Sequence, residues 1–531
     1  MLLPERRLHA LFHAAREAFP ERPALRARGE ELSYAALAGR ASAIASVLAA
    51  AAGGGAPGRC ALLGGKACGT YAGLLGILEA GACYVPLNPR FPPARSLAML
   101  AAAEVRALVV AEDAQDLARG LLAGVPAGLD VVLAGAAALP AWCADLPRHR
   151  FHAEPPPGPP GPDVPAGEDA YLLFTSGSTG APKGIAISHA SAVAYVEGVR
   201  ARYAPAETDR FSQVFDLTFD LSVHDMFVCW AAGACLYPLP ATGGLGIGTF
   251  IRKNAISFWF SVPSTAAAMA GRGELAPGAL PSLRWSLFCG EALPARLAAA
   301  WALAAPGSVV ENLYGPTEAT IAFTAFRVPS GFREEGIVPI GHPLPGQRVA
   351  VVDEAGVALP PGRVGELCLG GSQVAAGYWR RPDLTAERFR APLFPPGEEG
   401  AGDAGTRWYR TGDLAVMTPG EGLVFRGRAD RQVKIRGYRV EMQEVEDALR
   451  AAGGLDLAAV LPWPPGDAAA AVVGFVPRGV PLERILLGCR ARLPDYMVPS
   501  RLVEVADWPL NANGKTDYGA LRALMVETVD A

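Results

Sequence analysis

Charge, disulfide chemistry and long apolar runs are all scarce in this chain, and each shortage excludes something. Only 19% of its 531 residues are charged, 48 basic against 52 acidic, for a net charge of -4. With no Lys/Arg-rich block, neither nucleic acid nor an anionic membrane is expected as the main partner. The nine cysteines form no C-x-x-C pair and no His/Cys cluster. Scattered among apolar stretches, they read as reduced and mostly buried thiols, which implies a cytoplasmic setting. The first residues, Met-Leu-Leu-Pro-Glu-Arg-Arg, lack the ordered regions of a signal peptide. Apolar runs elsewhere are broken by Gly, Pro or charge, so no membrane span is expected.

Hydrophobic residues, by contrast, make up 51% of the chain, and a chain of 531 residues should divide into two or more domains. The positive mean hydropathy reflects alanine more than bulky side chains. Runs such as Ala49 to Ala52 and Ala298 to Ala305 favour helices with closely packed faces. Between them lie short aliphatic runs, including Ala107 to Val110, Val131 to Leu133, Phe258 to Val262 and Val349 to Val352. Their alternation with helical stretches predicts an α/β fold with layered, largely buried strands. A Pro/Gly connector runs from Glu154 to Pro162, and a second Gly/Pro/acid-rich loop from Pro395 to Thr406. A domain boundary is expected near Asp430.

The stretch Leu172 to Gly184 sets three glycines, four hydroxyl residues and a lysine behind an apolar strand-like run. Glycines let a loop wrap phosphate oxygens, while N–H groups, hydroxyls and an ammonium supply donors and positive charge. The order Gly180-Ala-Pro-Lys-Gly breaks the G-x-x-x-x-G-K-S/T spacing, which excludes a Walker A loop. Taken alone, such a loop is more often a surface connector than a phosphate site. No G-x-S-x-G elbow suggests a serine hydrolase.

Further signatures decide the matter: Asn312-Leu-Tyr-Gly-Pro-Thr-Glu318, Gly365-Glu-Leu367, Tyr409 to Leu414, Gly427 to Gly437, Leu493 to Pro499 and Asn511 to Lys515. In this order they resemble the adenylate-forming (ANL) enzymes, and within them the free-standing amino-acid adenylation domains of nonribosomal peptide synthesis. The resemblance spans almost the whole chain. It implies a large, multi-subdomain N-terminal domain (1–429) and a small, mobile α+β C-terminal domain (430–531), turning about a hinge at Asp430.

By that resemblance ATP and Mg2+ are the cofactors. Thr175, Ser176, Gly177, Ser178, Thr179 and Lys183 would hold the β- and γ-phosphates, and Glu318 the metal. Tyr314 would stack on adenine and Asn312 bond its edge, within a motif that also carries Thr317. Asp413 would accept both ribose hydroxyls and Arg428 add a ribose contact. Lys515 would bridge substrate carboxylate and phosphate, a task that suits a point-like cation on a flexible stem. Once the small domain turns, Lys434 to Gly437 would face the site for thioester formation, with Arg436, Gly437 and Tyr438 near the entering thiol arm.

The implied specificity pocket begins at Asp220, placed for an α-amine, and continues through Leu221, His224, Phe260, Leu287, Cys289, Leu313, Ile321 and Ala322. Apolar except for one imidazole, it suits a small neutral amino acid. Its pattern is similar to that of L-prolyl ligases that load carrier proteins, so L-proline ranks first. His224 departs from that pattern: it either fills volume or bonds a hydroxyl, which would point to serine or a hydroxylated amino acid, and alanine is also open. Only 16 residues follow Lys515, so the expected acceptor is the phosphopantetheine thiol of a separate carrier protein. Coenzyme A, as in acyl- or aryl-CoA ligases, is the alternative.

Overall fold

The computed structural model describes residues 7–154, 168–175, 182–240, 246–332, 335–393, 405–464, 469–510 and 516–529. Its architecture is two large, mostly parallel sheets, a four-stranded antiparallel sheet, and a smaller C-terminal group of a hairpin and a three-stranded sheet. This is the mixed α/β layering expected from alternating aliphatic and alanine-rich runs.

The nine-stranded sheet has a parallel centre running Val309–Tyr314, Trp285–Phe288, Phe258–Ser261, Arg210–Gln213, Cys235–Pro238 and Pro23–Ala27. Antiparallel strands close both edges. The seven-stranded sheet is parallel from Arg150–Ala153 through Asp130–Leu133, Ala107–Val110, Arg59–Leu63 and Cys83–Leu87 to Asp169–Thr175. Its last strand, Lys183–Ser188, is antiparallel to Asp169–Thr175. Strands covered on both faces must be apolar throughout, and Ala107–Val110 and Phe258–Ser261 are buried at every residue.

Between the sheets pack helices of small residues. Tyr34–Ala51 starts on a Ser33 cap, whose hydroxyl accepts from the Ala36 N–H at 3.1 Å. Among the described residues it is the one helix long and apolar enough to cross a membrane. It packs instead against Cys68–Glu79 and Leu8–Ala18 in the protein core. All nine cysteines are buried and none is in a disulfide.

The four-stranded sheet ends at Arg428, and the hairpin Gln432–Ile435/Tyr438–Glu441 opens the C-terminal group. Behind the hairpin, Met442–Gly453 and Leu482–Arg490 pack on the sheet of Ala459–Trp463, Ala471–Pro477 and Arg501–Val505. Asp430 falls in the three-residue link between the two sheets.

Candidate active site

In a parallel sheet, clefts open beyond the carboxyl ends of the strands. Here the strand Val309–Tyr314 delivers Asn312 and Tyr314 to such a cleft, and the chain then turns through Gly315 into Thr317–Ala319. A Cβ on Gly315 would lie 2.7 Å from Ala322 Cα and 2.9 Å from Ile321 O, so only glycine fits. Thr320 and Ile321 follow with φ of 57° and 72°, left-handed values unusual for a β-branched residue. That turn directs the Ile321 N–H onto Asp220 Oδ2 at 3.0 Å.

Two adjoining cavities occupy the cleft. The larger, about 260 Å³, is lined by Asn312, Tyr314, Val338, Asp413, Arg428 and Lys434 among others. The smaller, about 100 Å³, is lined by Asp220, Leu221, Cys289, Thr317, Tyr438 and Arg439 among others, and Asp413, Arg428 and Lys434 line both. The cleft therefore runs from one cavity into the other.

The larger cavity fits a nucleoside. Asn312 Nδ2 donates to the carbonyls of Val338 and Pro339 at 3.2 and 2.9 Å, which leaves Oδ1 buried without a hydrogen-bond partner. A buried acceptor so left is matched by an exocyclic amine such as that of adenine. The Tyr314 ring forms a wall, with Lys434 Nζ 5.7 Å from its centre. Tyr314 OH and Arg428 Nη1 donate to the two oxygens of Asp413. Arg428 also holds Asp430, through Nε at 2.6 Å and Nη2 at 2.8 Å.

In the smaller cavity Asp220 is the buried acid. Burial raises its carboxyl to about 6, partly offset by the Ile321 N–H and the Thr317 hydroxyl. Of the other expected pocket residues, Leu221 and Cys289 line this cavity and Leu313 lines the larger one, while Phe260, Leu287, Ile321 and Ala322 are buried but line neither. His224 is buried as well; its Nδ1 pairs with Tyr195 OH at 2.7 Å, and its ring lies 4.5 Å from that of Phe260. Burial lowers the imidazole to about 3, so it is neutral.

Glu318 is fully buried. Arg439 Nη1 donates to both its oxygens at 3.0 Å and Tyr378 OH to Oε1 at 2.8 Å, while Lys183 Nζ lies 4.0 Å away. Burial works against its ionisation, but Arg439 and then Lys183 outweigh it and hold the carboxyl at about 2. Burial, followed by Arg439, lowers Lys183 to about 8. An ionised carboxylate is a suitable hard ligand for Mg2+. Among the described residues no cluster of three His, Cys, Asp or Glu could hold a metal, so phosphate oxygens and water would complete the coordination.

Several expectations need correction. Lys183 is not a loop residue: it opens the strand Lys183–Ser188 and pairs with Thr175, the end of the preceding strand. Arg436 does not face the cleft. Its φ of 52° turns it outward, and Nε bonds Ala470 O at 3.0 Å, leaving Gly437 and Tyr438 on the cavity wall. Ser176, Gly177, Ser178, Thr179 and Lys515 lie outside the described residues.

The C-terminal hairpin covers the cleft through contacts that the motif reading did not foresee. Gly437 N–H donates to Glu291 Oε1 at 2.5 Å, and a Cβ there would strike Val262 Cγ1 at 2.4 Å. Tyr438 OH donates to Asp216 Oδ2 at 2.8 Å, and its ring stacks 3.6 Å from Tyr496. Further along, Arg95 Nη1 meets Glu444 Oε1 at 2.7 Å in a buried pair. Arg439 lies two residues beyond the Gly427 to Gly437 signature, and only the fold brings it to Glu318.

A cavity walled by Asn312, Tyr314 and Asp413, an adjoining small cavity walled by Asp220, and a buried carboxylate between cations are the parts that an ATP-using, adenylate-forming ligase requires. The chain belongs to the AMP-binding enzyme family, whose profile matches residues 12–379. It is 36% identical to AMB antimetabolite synthetase AmbB of Pseudomonas aeruginosa over 97% of this chain, but spans only 38% of that protein. It is also 36% identical to L-proline-(L-prolyl-carrier protein) ligase of Streptomyces coelicolor, over 84% of both chains. Among solved structures, the Vibrio cholerae adenylation domain AlmE, crystallised with glycyl-adenosine-5'-phosphate, superposes with a TM-score of 0.86 at 31% identity, covering 98% of each chain.

Proposed function

We propose that this enzyme activates a small neutral amino acid, L-proline first, as its aminoacyl-adenylate with release of pyrophosphate, and then passes it to the phosphopantetheine thiol of a separate carrier protein in the cytoplasm. The observation that carries the reading is Asp220: a buried carboxylate on the wall of a small cavity that adjoins the one lined by Asn312 and Tyr314. A buried acid raised to about 6 is ready to pair with an α-ammonium. Acyl- and aryl-CoA substrates carry no such group. The relationship to a prolyl-carrier-protein ligase supports proline.

In this reading Asn312 and Tyr314 hold adenine, Asp413 and Arg428 the ribose, and Thr175 to Lys183 with Thr317 the phosphates. Mg2+, held by Glu318 and phosphate oxygens, would neutralise charge as pyrophosphate leaves. Lys515 draws the substrate carboxylate to the α-phosphorus. The large domain, residues 1–429, keeps these groups in place; residues 430–531 turn about Asp430 to bring first Lys515 and then Lys434 to the reacting centre. That Lys434 Nζ lies 5.7 Å from the centre of the Tyr314 ring supports reading the docked hairpin as the second state. Tyr195 occupies Nδ1 of His224 and the ring packs on Phe260, which supports a packing role, and Nε2 is the atom that a substrate hydroxyl would have to meet.

Amino-acid-dependent exchange of labelled pyrophosphate into ATP tests the reading across the standard amino acids and several aryl acids. Exchange with proline is the expected outcome. Exchange with serine or alanine would retain the class but move the substrate, and exchange with aryl or fatty acids alone would overturn the role of Asp220.

A further inference from the structure

The docked hairpin does more than cover the cleft, because it engages both groups that a metal–phosphate ligand needs. Arg439 lies across both oxygens of Glu318, and Lys183 Nζ sits 4.0 Å from Glu318 Oε1 and 4.0 Å from Glu441 Oε1 of the hairpin. A guanidinium bound in this way fills the lone pairs that a divalent ion would use, and its charge repels the ion. Holding both cations on one buried carboxylate is therefore disfavoured.

Resting on the reading of Glu318 as the magnesium carboxylate, we propose that Arg439 is the exchange partner of the metal: Glu318 holds either Mg2+ with its phosphate ligand or the Arg439 guanidinium. Hairpin docking and departure of magnesium pyrophosphate are then two sides of one equilibrium. The device explains how the small domain senses that pyrophosphate has gone, with no separate signal. Arg439 is in this sense a positioning residue. The other hairpin contacts, Gly437 to Glu291 and Tyr438 to Asp216, are made to groups with no part in the metal reading, and they stabilise docking without coupling it to the metal.

Calorimetric titration with Mg2+ and inorganic pyrophosphate tests the exchange without turnover. A docked population of nine in ten would weaken the apparent affinity about tenfold, since the ligand must first displace the hairpin. R439Q should therefore bind magnesium pyrophosphate up to about tenfold more tightly than the wild type, and R439K, which keeps the charge but puts an ammonium in place of the guanidinium, should fall between. Distance is the second readout. Spin labels at Ala101→Cys and Ala451→Cys, both exposed, report the approach of Pro93–Ala103 to Met442–Gly453, and the native cysteines are buried. Magnesium pyrophosphate should deplete the short distance, at lower concentration in R439Q than in the wild type.

Unchanged or weaker binding by R439Q, with binding by E318Q strongly reduced, would leave the metal reading standing and overturn the exchange. If E318Q binds as tightly as the wild type, the metal reading falls and the exchange falls with it.

Discussion

Replacing Asp220 by asparagine separates a recognition role from a structural one, because the two predict opposite changes in stability. Asparagine keeps the shape and an oxygen for the Ile321 N–H. What it removes is a charge that the empty site holds at a cost. With its carboxyl moved from 3.8 to about 6 by burial, ionised Asp220 lowers the stability of the free protein at pH 7 by at most about 3 kcal/mol. The sign follows from linkage. Between about pH 4 and 6 the folded chain binds more protons here than the unfolded one, so stability declines as pH rises through that window.

D220N should therefore melt at a higher temperature than the wild type at pH 7, and the difference should narrow towards pH 4. Its effect on substrate runs the other way. An α-ammonium buried without a counter-charge costs about 3–5 kcal/mol, so kcat/KM for the amino acid should fall by about 10²- to 10⁴-fold. ATP binding should change little. In the wild type, kcat/KM should decline as pH falls below about 6, the value of the free enzyme's acid. Melting curves and pyrophosphate exchange on the same preparations supply both numbers. A lower melting temperature with unaltered kcat/KM would refute the reasoning, and Asp220 would be a structural acceptor for the Ile321 turn.

Other perturbations test separate parts of the site. His224→Leu should cost about 1–3 kcal/mol by stranding the buried Tyr195 hydroxyl, and adding Tyr195→Phe should recover much of it; additive losses in a double-mutant cycle by denaturant unfolding would contradict a simple packing pair. Lys515→Ala should abolish adenylate formation while ATP binding is largely retained, and Lys434→Ala should slow thioester formation far more than adenylation. Equal loss of both half-reactions in the Lys434 variant would sink the two-state assignment. Burial depresses His189 to about 4, and its Nδ1 accepts from the Leu8 N–H. Because the unfolded chain then binds more protons below pH 6.5, stability should fall by about 2 kcal/mol between neutrality and pH 5. His189→Asn, which keeps an acceptor without the titration, should lessen that fall in melting experiments.

Legibility tracked the distance over which each feature is encoded. Asn312, Tyr314 and Glu318 occupy one strand and its turn, so a short motif carried them, and alternating aliphatic and alanine-rich runs carried the layered fold. Lys183 was misread because glycine and hydroxyl content marks a loop but not where it ends, and cross-strand pairing with Thr175 sets that limit. Arg436 and Arg439 are indistinguishable as basic residues in a charged stretch. The positive φ at Arg436 turns one outward, while the hairpin's alternation turns the other onto Glu318, 121 positions away. The partners Tyr195 for His224 and Glu444 for Arg95 lie on separate elements, and no local pattern encodes them.

The placement of the acids explains why nucleotide chemistry and hairpin docking share one surface. Asp216, Glu291 and Glu318 each follow the carboxyl end of a parallel strand, after Arg210–Gln213, Trp285–Phe288 and Val309–Tyr314 respectively. Those ends are where this topology forms its cleft. The same three positions receive Tyr438 OH, the Gly437 N–H and Arg439, three consecutive residues of one hairpin. Consecutive residues point in different directions, so three acids on three strands can be met together only if the strand spacing and the hairpin twist agree. A docked state specified at three points is narrow in geometry. One of those three points, at Glu318, nevertheless lies where a metal and phosphate would enter. A domain held in this way can be precise when docked and still be released by its own substrate.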